Sequence, residues 1–116
     1  MTLTYTFRDG TTTTDTQEWA LRYEDHEYRR VAADEFTITH ESPASDTTWR
    51  VSTIWQGLPA MPDEKPRVYE TAIFRNGNLV GEIHHVTEAE AVGAHADLVD
   101  ALKATNRIDS LREFGI

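Results

Sequence analysis

The sequence predicts an α+β fold: a mainly antiparallel β-sheet with one short N-terminal helix and a longer C-terminal helix packed on one face. Three observations predict it. Asn76-Gly77 stands between two β-rich runs, and both residue types tolerate the positive φ that a type I′ hairpin turn demands. Thr87-Glu88-Ala89-Glu90 fits a capping box, in which the Thr hydroxyl accepts from the Glu90 amide and Glu90 reaches back. Ahead of both, Val51-Ser52-Thr53-Ile54-Trp55-Gln56-Gly57-Leu58 reads as a strand. With 116 residues the chain is expected to form a single domain, 1–116. It is long enough for one core without staples.

The hairpin joins strands at residues 67–74 and 79–86. A two-residue loop places Phe74 opposite Leu79, Ala72 opposite Gly81 and Glu70 opposite Ile83. Side chains alternate across a strand. One face then carries Val68, Glu70, Ala72, Phe74, Leu79, Ile83 and His85. The other carries Tyr69, Thr71, Ile73, Val80, Glu82, His84 and Val86. The first face has the larger apolar cluster and is expected to be the core face, which makes Glu70 and His85 its odd members. In the helix that follows, Val92, His95, Val99 and Leu102 recur at helical spacing beside Ala91 and Leu98. Loss of the Thr87 cap is expected to cost about 1 kcal/mol.

Residues 51–58, then Pro66 to Phe74 with Tyr69-Glu70-Thr71 at the centre, then Thr87-Glu88-Ala89-Glu90-Ala91-Val92-Gly93-Ala94-His95 form an ordered set. This set resembles a family of small proteins encoded in actinobacterial phages. Those read V-S-T-V-W-L-G-L-D-H, then P-P-L-I-F-E-T-M-V-F, then an acidic helix start ending in G-H. The resemblance covers the central half of the chain. It departs at Pro59-Ala60, where the family has Asp-His. It implies a phage origin and a shared fold, and no mechanism.

In chain order, residues 3–7 alternate Leu, Tyr and Phe with Thr, as a short strand does, and Asp9-Gly10 makes a turn. Asp15-Thr16-Gln17-Glu18 is a second helix start, for a short helix over residues 16–25 with Trp19 as its core anchor. Residues 28–33 suit a strand or a helix. The β-like run that the resembling family carries there favours the strand. Residues 36–40 alternate as a strand, and 41–47 form a loop. Trp49, Val51, Thr53 and Trp55 share one face of the next strand; Arg50, Ser52, Ile54 and Gln56 share the other. Trp55 is the expected site of the most damaging truncation. Residues 57–65, flanked by prolines, form a crossing loop. Its Leu58, Ala60 and Met61 either fold back over the core or dock on a partner. Ile108, Leu111 and Phe114 mark a short C-terminal helix or docked tail.

Composition narrows the function. Zero cysteines exclude disulfides and thiol catalysis and fit a reducing cytoplasm. No apolar run approaches the about 18 residues of a membrane span. The N-terminus is neither basic nor continuously apolar, so no signal peptide is expected. Twenty acidic residues against 11 basic leave a net charge of −9, which repels phosphate backbones and argues against direct nucleic-acid binding. That charge also suits a solubilising surface, a basic partner or mimicry of DNA.

Five histidines offer candidate chemistry. His84 and His85 are adjacent on a strand and so point to opposite faces. Glu70, His85 and His95 form the candidate catalytic set, capable of acid–base work or of a two-His–one-carboxylate metal site; the alternative is a buried structural pair. Leu58, Met61, Tyr69, Glu82 and His84 form the candidate binding set. Ser52 has no assignable base, and no phosphate loop, nucleophile elbow or zinc helix is present. Neither a metal nor a cofactor is expected. The leading expectation is a small accessory protein of the phage type, in the host cytoplasm, acting by binding a host or phage protein. A homodimer through a sheet face with Ile54, Ile73, Val80 and Tyr69 is the possible self-partner. The alternatives are a hydrolase built on Glu70, His85 and His95, and an acidic decoy for a DNA-binding protein.

Overall fold

A computed structural model describes residues 2–115, without the side chains of residues 43, 110 and 113. It is an α+β structure. In chain order come β1 (Tyr5–Thr6), β2 (Thr12–Thr13), α1 (Thr16–Tyr23), α2 (His26–Arg29), β3 (Arg30–Ile38), β4 (Thr47–Trp55), β5 (Tyr69–Arg75), β6 (Asn78–His85) and α3 (Glu88–Thr105). A 3₁₀ segment, Ile108–Phe114, follows. The strands β3-β4-β5-β6 form one fully antiparallel sheet in sequence order, and β1-β2 form a separate two-stranded ribbon.

Local chemistry sets each joint. Asn76 and Gly77 both have positive φ, 49° and 83°, as a type I′ turn requires. Asp15 caps α1 by accepting from the amides of Gln17 and Glu18, and Thr87 caps α3 by accepting from Glu90. Asn106, in the left-handed region at φ 52°, ends α3. The ambiguous residues near 28–33 divide: Asp25 caps the short α2, and extended backbone starts at Arg30. The strand expected over 36–40 is thereby the second half of one longer strand.

The core lies between α3 and one face of the sheet. Trp49, Val51, Ile73, Leu98, Val99, Leu102 and Leu111 fill one end. Phe7, Trp55, Val68, Tyr69 and Ala91 fill the other, with Trp19, Tyr28 and Val31 packed around them. The crossing loop folds back: Ala60 pairs with Thr4 and is buried. Gly57 is required by its surroundings. Its φ is +57°, and any Cβ there would overlap the Trp55 ring.

Two expectations about the hairpin are corrected. Phe74 does pair with Leu79, but an extra residue at Val80 bulges β6. Beyond it Ala72 faces Glu82 and Glu70 faces His84. The core face of β5 is also the opposite one. Tyr69, Thr71 and Ile73 are buried, whereas Leu79 is 55% exposed and Phe74 lies half-buried on the far face under the Arg50 guanidinium. The cause is the neighbouring strand. Trp55, Thr53 and Val51 stand directly opposite Tyr69, Thr71 and Ile73, and paired residues share a face. Two tryptophans on β4 therefore decide which side of β5 is dry.

The far face is open to solvent. It carries Ala33, Glu35 and Thr37 of β3, Arg50, Ser52 and Ile54 of β4, Glu70, Ala72 and Phe74 of β5, and Glu82 and His84 of β6. One helix over one sheet, with the N-terminal ribbon and helices appended at the end, gives a long, thin molecule of 57 × 27 × 20 Å.

Candidate functional site

A hydrogen-bonded row of polar side chains crosses the whole sheet beneath α3. Asp34 on β3 meets His95 of α3, with Oδ2 2.7 Å from Nε2. His95 Nδ1 lies 2.7 Å from the Thr53 hydroxyl. Thr53 and Thr71 are cross-strand partners with hydroxyls 2.6 Å apart. Thr71 in turn lies 3.1 Å from His85 Nε2. Thr53 and Thr71 are wholly buried, and His95 and His85 are only 4% and 9% exposed.

The Asp34 carboxylate fixes one end of the row. A carboxylate only accepts, so His95 Nε2–H donates to it; where that is the ring's single proton, Nδ1 accepts from Thr53. In that arrangement Thr53 accepts from Thr71, and Thr71 accepts from His85 Nε2–H. Every donor finds one acceptor, as a buried row needs. The row ends at His85 Nδ1, which carries no hydrogen bond among the described residues. His85 lines a groove of about 730 Å³ between β6 and α3, walled also by Glu82, His84, Glu90, Gly93 and Asp97.

Asp34, His95 and Thr53 have the composition of a nucleophile triad, but the Thr53 hydroxyl is sealed from solvent and already engaged twice. The arrangement does the work of a polar clasp: it ties all four strands and the helix together. Burial pushes the His85 imidazole below the ordinary histidine range, with Glu90 opposing the shift and His84 adding to it. The unfolded chain therefore binds a proton at His85 before the folded one does. Stability contributed here is full above the unfolded value of about 6.5 and is lost as pH falls from there toward the lower folded value. Urea denaturation on both sides of that window should show this decline in the wild type and a shallower one in His85→Gln. Equal slopes would sink the assignment. Tyr69, next along β5, has its phenol pushed up to about 12 by burial, with Glu88 adding and Arg8 opposing.

The proposed catalytic set is divided by the sheet. His85 and His95 share the helix side and are linked through the two threonines. Glu70 lies on the open side, where it accepts from Gln56 at 2.6 Å and approaches His84 at 3.9 Å. The carboxylate that joins the histidines is Asp34. Among the described residues no three His, Asp or Glu side chains converge as a metal site requires. Of the binding set, Tyr69 is 1% exposed and belongs to the core. Leu58 and Met61 are half-buried in the crossing loop, and Glu82 and His84 are at the surface on β6. The expected dimer face is likewise corrected. Tyr69 and Ile73 are buried, Val80 packs toward the core, and only Ile54 remains on the open face.

Asp34, Thr53 and Thr71 escaped sequence reasoning. Thr53 did carry a signal, as a hydroxyl between Val51 and Trp55 in an otherwise apolar row. Asp34 carried one too, in phase with Phe36 and Ile38. Comparison of the chain with protein-family models, with curated proteins and with solved structures returns no match. Among the described residues no helix is long and apolar enough to cross a membrane.

Proposed function

We propose that this chain is a small accessory protein of the phage type its sequence resembles, and that it acts in the host cytoplasm by binding another protein. The observation that carries this reading is the one-sided covering of the sheet. α3 seals the groups capable of acid–base work, while the opposite face keeps Ile54, Ala72 and Phe74 among charged neighbours with no layer over them among the described residues. A solvated antiparallel face is ordinary. One that interleaves an aromatic, an aliphatic and paired charges has the make-up of a polar-rimmed contact surface. The resemblance supplies the phage and cytoplasmic parts of the proposal.

The test is affinity capture from host lysate with the wild type and with Phe74→Asp, a surface change that should leave the circular dichroism spectrum unaltered. A protein recovered with the wild type and lost with Phe74→Asp is the expected result. Identical sets of captured proteins with both would overturn the reading.

A further inference from the structure

We propose that the groove between β6 and α3 binds an extended, lysine- or arginine-bearing segment of a partner protein, laid against the free edge of β6. This rests on the protein-binding reading above and adds a second surface, distinct from the open sheet face, with its ligand chemistry.

Three independent features converge on it. The first is the edge. β6 is the last strand of the sheet, so its outer backbone groups have no strand to pair with and can accept an added one. The bulge that would blunt such an edge sits near the hairpin turn, at Val80. Residues 81–85 beyond it run in unbroken register and span about 17 Å at strand spacing.

The second is the chemistry of the wall. Glu90 and Asp97 of α3 contribute carboxylates, Glu82 lies at the rim, and among the described residues no lysine or arginine lines the groove. At its floor, His85 is 9% exposed. With the row in the sense set by a singly protonated His95, the Nε2 proton points inward to Thr71, and Nδ1 is an acceptor with no hydrogen-bond partner among the described residues. A groove that offers acceptors and lacks strong donors selects a ligand rich in N–H groups.

The third is Gly93. It lies in the interior of α3, where glycine is destabilising by about 1 kcal/mol relative to alanine. A Cβ at this position would meet nothing within 4 Å, and its φ lies outside the left-handed range. Neither packing nor backbone geometry asks for glycine here. What its absent side chain does is keep the helix wall low where it faces the groove. The fold thus carries an unrewarded cost at the place where a second backbone would have to approach.

The experiment is fluorescence anisotropy with a labelled Lys-Val-Lys-Val-Lys-Val peptide and, at equal charge, Lys-Lys-Lys-Val-Val-Val. The proteins are the wild type, Gly93→Leu, Asp97→Lys and Glu41→Lys, the last a charge reversal in a distant exposed loop. The wild type is expected to prefer the alternating peptide. Gly93→Leu and Asp97→Lys should each weaken it by about tenfold, and Glu41→Lys should leave it nearly unchanged. Gly93→Ala should raise the melting temperature. Undiminished binding by Gly93→Leu, equal losses with Asp97→Lys and Glu41→Lys, or no binding of the alternating peptide would each overturn the proposal. A lysate partner lost with Phe74→Asp but retained by Gly93→Leu would overturn the groove alone and leave the protein-binding reading standing.

Discussion

Replacing Trp55 by alanine is expected to remove about 3–5 kcal/mol from a total stability of about 5–15 kcal/mol. The ring is wholly buried. Its indole N–H donates to the Thr6 carbonyl at 2.9 Å, Phe7 packs at 6.2 Å and Tyr28 meets it edge-on at 5.1 Å. The chain also bends against it at Gly57. One side chain therefore holds the N-terminal ribbon, α2 and the crossing loop to the end of the sheet. The loss has a transfer component, a cavity component and an orphaned carbonyl at Thr6. Trp55→Phe should fall between, since it refills much of the volume and still leaves Thr6 without its donor. Trp19→Ala should cost less, because Trp19 is only half-buried, stacked between Tyr5 and Tyr23. Urea denaturation followed by far-ultraviolet circular dichroism gives the three values. A Trp55→Ala loss below about 1 kcal/mol would lie outside the range for a buried indole and would mean that the ring is not what anchors these segments.

The parts of this fold that were legible in the sequence are those set by neighbours along the chain. Asn76-Gly77 specifies a turn through its own backbone preferences, and Thr87 with Glu90 specifies a helix start within one turn. The buried face of β5 is set elsewhere. Strand alternation divides residues 68–74 into two sets and cannot say which is buried. Val68 and Phe74 on one side outweighed Tyr69 and Ile73 on the other only while β5 was considered alone. The two tryptophans on β4 reverse that balance, and their effect is non-local: it passes through the pairing of Thr53 with Thr71. The bulge at Val80 adds to it, since one extra residue moves every partner beyond it. The same two effects divide the candidate site. His85 and His95 are legible because each interrupts an apolar stripe, whereas the bulge cancels the register that would place Glu70 beside them. Asp34 lies 61 residues from His95 in the chain, and no local pattern links two residues that meet only after the helix has docked.

Thr53→Val should cost about 2–4 kcal/mol although it preserves shape, because the loss is one of satisfaction rather than volume. The Thr53 hydroxyl is bonded to both His95 Nδ1 and Thr71, donating to the first and accepting from the second where His95 is singly protonated. Valine does neither. His95 keeps its bond to Asp34 but is left with a bare nitrogen under α3, and Thr71 must redirect its proton toward His85, whose own ring proton must then move from Nε2 to Nδ1. Each buried group left without a partner costs about 1–3 kcal/mol, and Thr71 recovers part of its share by that redirection. The same logic predicts non-additivity. His95→Leu alone strands the Thr53 hydroxyl and the Asp34 carboxylate, but Asp34 is half-exposed and can turn to water. Combining Thr53→Val with His95→Leu removes both ends of one buried bond, so the pair should cost less than the sum of the singles. A double-mutant cycle by urea denaturation measures the difference. Strict additivity would mean that Thr53 and His95 are not coupled. The row across the sheet would then be four separate contacts rather than one clasp, and the directed acceptor at His85 Nδ1 would lose its cause.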